Sequence, residues 1–168
     1  VFIAHVSTLW LRSGESDKAL EVLARTPREM LREARILYPT AMLRGDALAA
    51  AGRPAAAAVQ WREAQRVVDQ QLAADPANTS LLSTKAELLA ALGDRAGAAA
   101  TFALFEETRH AAVGSIDWAS SYDYFARLGD VEAVLGRLER YVARDNGRWA
   151  SGYNELRHAP RFAQVRAD

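Results

Sequence analysis

One short phrase recurs four times in the chain and decides its fold: Leu11-Arg12-Ser13-Gly14, Ala50-Ala51-Gly52-Arg53, Ala91-Leu92-Gly93-Asp94 and Arg127-Leu128-Gly129-Asp130. Each glycine directly follows a helix-forming stretch, which is the favoured position for a left-handed C-terminal cap. An aspartate comes after Gly93 and after Gly129, where its carboxylate can accept from the free amides of a following helix. The glycines are 38, 41 and 36 residues apart. The sequence therefore predicts helical hairpins that each turn at a glycine.

The residues that follow each glycine form a stripe with helical spacing. A small residue or a valine stands five positions after the glycine, a large residue nine positions after it, and a third member twelve positions after it. Because steps of four and three keep residues on one helix face, the stripe predicts the buried face of each second helix. Its members are Ala19, Ala57, Ala98 and Val134, then Leu23, Trp61, Phe102 and Leu138, then Thr26, Ala64, Phe105 and Tyr141.

The composition also favours helices. Of the 168 residues, 50% are hydrophobic and 25% charged, and alanine, the best helix former, occurs in clusters such as Ala55 to Ala58. Alternating runs of valine, isoleucine and threonine, which strands need, are rare. The chain is therefore predicted to be all-α and large enough for one domain with a core.

A further set of residues, seven positions before each glycine, is small in three of the four phrases. The set consists of Ser7, Gly45, Ala86 and Tyr122. With this feature the chain resembles the tetratricopeptide repeat family over about residues 1 to 145. The resemblance implies a right-handed α-solenoid of four degenerate hairpins, at about residues 1–37, 38–78, 79–114 and 115–145. The usual closing proline is missing, and Phe105 and Tyr141 stand where the family has small residues.

Three elements are expected beyond the regular hairpins. The second helix of the second hairpin runs from Pro54 to Ala74, because its apolar stripe continues to Leu72 before Asp75-Pro76 stops it. A short extra helix is predicted over Pro27 to Leu37, because Thr26, Pro27 and Glu29 form a capping pattern. Residues 146–168 are predicted to form a C-terminal helical cap.

The end of the chain carries a second resemblance. Its phrase Leu156-Arg157-His158-Ala159-Pro160-Arg161-Phe162 is similar to the ending of tetratricopeptide arrays in bacterial multidomain regulators and signalling proteins. The chain begins Val1-Phe2-Ile3 without a methionine, and we therefore expect it to be a fragment. The resemblance implies that the fragment serves as the regulatory or sensing part of a larger protein. A cytoplasmic location is favoured, and a periplasmic one applies if the fragment belongs to a membrane-anchored regulator.

Several classes of function lack the residues they need. The formal net charge of zero offers no general attraction to nucleic acid or to anionic lipid, and no stretch is long and apolar enough to span a membrane. Cysteine is absent, and the histidines, His5, His110 and His158, are scattered without metal-ligand spacing. Glycine-rich phosphate loops and serine nucleophile elbows are also missing. We therefore predict a non-enzymatic protein with no cofactor and no bound metal.

The resemblance places a binding groove on the first helices of the hairpins. Six residues before the glycines stand Thr8, Asp46, Glu87 and Asp123, and three of these are acidic. Carboxylates in successive hairpins would favour a protein or peptide partner with a basic segment, although acidic residues equally suit plain solvent-exposed positions. The rest of the predicted groove wall consists of Met42, Leu43, Ser83, Thr84 and Ala119, with Met42 and Leu43 as apolar anchors.

Two other readings compete with groove binding. Self-association would use the apolar N-terminal edge formed by Phe2, Ile3, Val6 and Trp10, giving a homodimer or a scaffold. A small enzyme would need a pocket that contains carboxylates with shifted pKa values, and no sequence pattern predicts such a pocket.

Overall fold

The computed structural model describes residues 3–33, 36–113 and 122–144, and the architecture below refers to these residues. They form eight helices and one small antiparallel sheet. The helices are α1 (Ile3–Arg12), α2 (Ser16–Ala24), α3 (Thr40–Ala50), α4 (Pro54–Ala74), α5 (Thr79–Ala91), α6 (Arg95–Val113), α7 (Tyr122–Leu128) and α8 (Val131–Arg144). The strands are β1 (Met30–Glu33) and β2 (Ile36–Pro39). The described chain is mostly helical, as its sequence predicts.

The helices pair in chain order, and each pair is joined by the same turn. Gly14, Gly52, Gly93 and Gly129 all have positive φ, between 71° and 84°. In each turn the glycine N–H donates to the carbonyl three residues earlier at 3.0–3.1 Å, and the next N–H donates to the carbonyl four residues before the glycine at 2.8–3.0 Å. These two bonds define the Schellman motif, which satisfies the last carbonyls of a helix. The predicted glycine turns are confirmed.

The two aspartates that follow glycines act as predicted. The Asp94 carboxylate accepts from the Gly97 N–H at 2.9 Å, and the Asp130 carboxylate accepts from the Ala133 N–H at 3.0 Å. Each of them satisfies an amide in the first turn of the second helix, where no carbonyl is within reach. One dipeptide, Gly-Asp, therefore ends one helix and starts the next.

The predicted stripe is buried wherever the structure describes its side chains. All four residues five positions after the glycines, Ala19, Ala57, Ala98 and Val134, are fully inaccessible to solvent. Of the later positions, Leu23, Phe102, Thr26, Ala64 and Phe105 are buried, and Trp61 is partly buried. Small residues at the first position let the paired helices approach closely, and the larger ones fill the space between neighbouring pairs.

Aromatic residues join α6 to α7. Phe102 on α6 stacks on Tyr124 with ring centroids 4.1 Å apart and meets Phe125 edge-on at 5.3 Å. Burial of Tyr124 and the nearby Glu106 carboxylate raise the pKa of the Tyr124 phenol above its usual value. These contacts hold the short α7 on the rest of the fold, and they confirm that the aromatic residues here serve packing.

The long helix α4 begins at Pro54 and ends at Ala74, as its stripe predicts. By contrast, α3 and α5 are buried on nearly all sides, including the polar residues Asp46, Ser83 and Thr84. A helix buried all round has neighbours on every face. The neighbours of α5 include α4, α6, α7 and β2.

The extra helix predicted over Pro27 to Leu37 is wrong, because this segment forms the β1–β2 hairpin. Arg32 pairs with Leu37 and Glu33 with Ile36, while Leu31 packs in the core beneath α1 and α3. The Thr26 hydroxyl donates to the Val22 carbonyl at the end of α2 and therefore does not start a new helix. Met30 and Leu37 pack against one core cluster, whereas their chain neighbours Leu31 and Tyr38 pack against another, as successive residues of a strand do.

The base of the hairpin is closed by Thr40, the first residue of α3. Its N–H donates to the Glu29 carbonyl at 2.8 Å, and its hydroxyl donates to the Arg28 carbonyl. Tyr38 precedes Pro39, which disfavours helical backbone at Tyr38 and supports the strand. The turn between α2 and the hairpin is fixed by Arg44, which donates to the carbonyls of Leu23 and Thr26 at 2.9 and 3.1 Å.

Some predictions lie outside the described residues, namely the C-terminal cap over 146–168, Ala119, and the positions of Phe2 and His158. Among the helices that the structure describes, none combines the length and the apolar character needed to cross a membrane.

Candidate functional site

The site is built on one face of α5. Ser80, Thr84 and Glu87 are spaced four and three residues apart, so their side chains leave the helix in the same direction. A cationic side chain from α7 lies at the Glu87 end of this face, and an extended strand lies at the Ser80 end. We call the set of Ser80, Thr84 and Glu87 on α5, together with Asp46 of α3, the acidic face.

At one end of the acidic face, Arg127 of α7 reaches across α5 to α3. Its Nη2 lies 2.9 and 2.8 Å from the two carboxylate oxygens of Asp46, and its Nε lies 3.7 Å from Oε2 of Glu87. The side chains of Arg127, Asp46 and Glu87 are only 6%, 11% and 14% exposed. Ion pairs with so little contact with water are screened weakly, and losing one partner is costly.

A tryptophan from α4 fixes the Asp46 carboxylate. The Trp61 indole N–H donates to Asp46 Oδ1 at 3.1 Å. The indole lies so close to Gly45 that a Cβ there would collide with it. Glycine therefore lets the ring approach α3, and the ring orients the carboxylate that holds Arg127.

At the other end of the acidic face, α5 binds the backbone of β2. The Leu37 N–H donates to the Ser80 hydroxyl at 3.1 Å, and the Leu37 carbonyl accepts from the Thr84 hydroxyl at 3.3 Å. These bonds use the donor and acceptor that point away from β1 in an antiparallel pair. Two hydroxyls on a helix therefore hold an extended backbone as another strand would.

The predicted groove residues divide into three groups. Asp46 and Glu87 meet at Arg127, and Thr84 contacts the hairpin. Ser83 is buried in α5, and Asp123 is a partly exposed residue of α7, four positions before Arg127. Met42 and Leu43, the two predicted apolar anchors, lie in the two cores on either side of α3. Their burial follows from the position of α3 between neighbouring helix pairs.

Sequence reasoning missed the residues that occupy the acidic face. Arg127 stands four residues after Asp123, and this acid–base spacing is the one sign in the sequence that a cation of α7 lies near a predicted carboxylate. The apolar stripe assigns Trp61 to packing alone, and no sequence pattern singles out Ser80. Because the sequence predicts a helix in place of the β1–β2 hairpin, it gives no sign of the contact of that hairpin with Ser80 and Thr84.

The N-terminal edge contains a cleft. A cleft of about 470 Å³ lies between α1 and α2, with Ile3 and Trp10 among its lining residues. Lys18 Nζ stands 4.6 Å from the centre of the Trp10 ring and 3.4 Å from a Glu15 carboxylate oxygen. On α1 itself, Val6 is 39% exposed and Leu9 49%. The edge predicted for self-association therefore presents apolar surface.

Within the described ranges, no group of three histidine or carboxylate side chains is arranged to hold a metal ion. His5 and His110 are both exposed on helices α1 and α6.

Comparison with known proteins adds no relative: no protein-family model, no curated protein and no solved structure matches the chain.

Proposed function

We propose that the chain is a non-catalytic protein-binding module built from tetratricopeptide-like helical hairpins. Its partner is an extended protein segment that carries a basic side chain and binds at the acidic face in competition with β2 and Arg127, which occupy it. The observation that carries the proposal is the pair of contacts already made there: the acidic face holds an extended backbone at Ser80 and Thr84, and it holds a guanidinium at Asp46 and Glu87.

These two contacts supply what a peptide-binding surface needs. Hydroxyl groups that bond to a backbone give affinity without regard to sequence, and charged pockets select particular side chains. Because the helices of the face are packed on several sides, little of it has to be ordered when a partner binds. The chemistry of the face therefore suits an extended segment with arginine.

A peptide array tests the proposal. Extended peptides of varied charge are incubated with the protein and with Glu87→Gln, at low and high salt. We expect retention of arginine-containing peptides that weakens with salt and with Glu87→Gln. Glu21→Gln is the matched control, because Glu21 is an exposed carboxylate already paired with an arginine. Absence of peptide binding, or binding unaffected by Glu87→Gln, would contradict the proposal.

Self-association is a second candidate, because Val6 and Leu9 are exposed three residues apart on α1. Sedimentation velocity over a wide concentration range measures it. If α1 is the interface, Val6→Lys with Leu9→Lys abolishes the larger species, whereas Val59→Lys on α4 leaves it, since Val59 is a similarly exposed valine on another helix. A single species at every concentration would exclude this candidate.

A further inference from the structure

We propose that the free edge of β1 binds an extended, acidic segment of a partner protein, which adds to the β1–β2 hairpin as a third, antiparallel strand. This edge is separate from the acidic face, because α5 contacts the other edge of the sheet, along β2. The inference goes beyond the proposed function, since it adds a second binding surface with the opposite charge preference.

The two edges of the sheet differ in what they bind. The edge of β2 is occupied, because the Leu37 N–H and carbonyl bond to the Ser80 and Thr84 hydroxyls of α5. Arg32 lies opposite Leu37 in the register of the hairpin. When one residue of such an antiparallel pair points its N–H and carbonyl away from the neighbouring strand, the other residue does so too. The N–H and carbonyl of Arg32 therefore lie on the outer edge of β1.

The same alternation places the N–H and carbonyl of Met30 on the outer edge of β1. The residue opposite Met30 is Pro39, which has no N–H to donate to β1. Across residues 3–33, 36–113 and 122–144, these groups of Met30 and Arg32 make no backbone hydrogen bond to another element. Unpaired groups on a strand edge are a template for a further strand, and a two-stranded hairpin gains stability from a third.

The charges beside this edge indicate the kind of strand that it binds. Arg28 and Arg32 are exposed, and neither forms an ion pair with another residue that the structure describes. The carboxylate of Glu29, which stands between them in the sequence, lies 3.5 Å from an Arg66 nitrogen of α4. Opposite charges that face each other on neighbouring strands attract. A carboxylate on the added strand therefore finds an unpaired cation at Arg32.

A second copy of the chain does not suit this edge. If two β1 edges paired through Met30 and Arg32, each possible register would place an arginine of one copy opposite or diagonal to an arginine of the other. Such like-charge contacts are one of the means by which edge strands avoid pairing with themselves. A strand with carboxylates at the facing positions replaces this repulsion by attraction, so the edge selects an acidic segment.

A synthetic peptide of alternating glutamate and valine, acetylated and amidated at its ends, tests the inference with the full chain. In the proposed pairing, the peptide residues that bond to Met30 and Arg32 have their side chains on the Arg32 face, so they are the glutamates. We expect NMR to show that amide hydrogen exchange at Arg32 slows about tenfold near saturation with the peptide. N-methylation of the glutamate nitrogens should abolish binding, whereas N-methylation of the valine nitrogens, the matched control, should preserve it.

Variants of the two arginines test the charge preference. Arg32→Glu should weaken binding of the glutamate–valine peptide about tenfold, because attraction becomes repulsion. Arg62→Glu is the matched control, since Arg62 is an exposed arginine on α4, and it should leave the affinity unchanged. The double variant Arg28→Glu with Arg32→Glu should bind a lysine–valine peptide more tightly than the glutamate–valine peptide. Both substituted positions are exposed, so the fold is expected to persist, and circular dichroism checks it.

Several results would overturn the inference. These are unchanged exchange at Arg32 when the peptide is added, and equal binding of the two N-methylated peptides. Protection of the Arg32 amide that rises with protein concentration in the absence of peptide would show that a second copy occupies the edge. Glu87→Gln should leave the affinity for the glutamate–valine peptide unchanged, and a loss equal to that in Arg32→Glu would also contradict binding at β1.

Discussion

Arg127 and Asp46 are 81 residues apart in the chain, and yet one Arg127 nitrogen lies within 2.9 Å of both carboxylate oxygens of Asp46. The pair links α7, in the fourth helical hairpin, to α3, in the second, across α5 of the third. Arg127 is the first residue of the fourth glycine phrase, but the other phrases have no arginine at that position and neither residue belongs to the apolar stripe, so the apolar pattern does not account for the contact. It is a long-range connection added to a fold whose other contacts are mostly between neighbouring helices.

A double-mutant cycle measures the strength of this pair. We expect Asp46→Ala and Arg127→Ala each to lower the free energy of unfolding by about 3 kcal/mol, because each leaves a buried charge without its partner. The coupling energy should be about 1–3 kcal/mol. Urea denaturation of the four proteins provides the values.

The control is the pair formed by Glu21 of α2 and Arg25, the residue that follows α2; its distance is 2.6 Å, but its side chains are 63% and 77% exposed. Its coupling energy should stay below about 1 kcal/mol, because exposed pairs are screened by water and salt. Similar coupling in the two pairs would contradict the buried character of the Arg127 site.

Gly45→Ala is predicted to destabilise the protein even though alanine favours helices. The added Cβ would collide with the Trp61 indole, and relief of the collision would move the ring away from Asp46. We expect a loss of about 1–3 kcal/mol in urea denaturation, as for other overpacked sites. Gly136→Ala is the control, since a Cβ there meets nothing within 4 Å; it should stabilise α8 by about 0.5–1 kcal/mol. A stabilising Gly45→Ala would refute the close approach of the ring.

Ser80→Ala should weaken the attachment of the β1–β2 hairpin to α5. The Leu37 N–H would lose its acceptor on α5, at a cost of about 1–2 kcal/mol. Amide hydrogen exchange should quicken at Leu37 and stay slow at Thr40, whose N–H donates to Glu29 at the hairpin base. Ser13→Ala, which removes an exposed hydroxyl bonded to the Leu9 carbonyl, should leave both amides unchanged. Unaltered exchange at Leu37 in Ser80→Ala would show that the contact does not hold β2.

Tyr124 should make the fold sensitive to alkali. Its pKa is raised in the folded state by burial and by Glu106, so the unfolded chain loses the phenolic proton first. The stabilisation is therefore complete below about pH 10, where free tyrosine titrates, and it is lost as the pH rises through the higher folded pKa. Denaturation at pH 8 and pH 11 should show a smaller loss of stability in Tyr124→Phe than in the unmodified chain. An equal loss in both proteins would rule out this contribution.

The helical hairpins were predictable because their signals are local. A glycine with positive φ and the residue after it satisfy the end of one helix within a few positions, so the sequence around Gly93 contains the whole turn. The same holds for the bounds of α4, which are set by Pro54 and by Asp75-Pro76. Burial of Ala57 and Ala98 follows from fixed spacing to the glycine.

The β1–β2 hairpin and the acidic face were not predictable in this way, because contacts with residues distant in the chain determine them. Thr26, Pro27 and Glu29 fit a helix start, but contacts of Leu31 and Leu37 with separate cores favour strands. Asp46 and Glu87 were placed on a common face from the glycine register, whereas nothing in that register brings Arg127 to them.

The identical glycine turns have a consequence for how the chain tolerates extra residues. Inside each hairpin the connection is confined to residues 13–15, 51–53, 92–94 or 129–130, and every backbone bond across it has a fixed partner. An insertion there would break the Schellman pair and shift the second helix off its stripe. The connection over residues 25–39, between the first two helical hairpins, does not repeat this turn and contains a sheet. An added segment is therefore expected to be better tolerated in that connection than inside a helical hairpin, because the molecule can gain new surface there without losing the alignment of its paired helices.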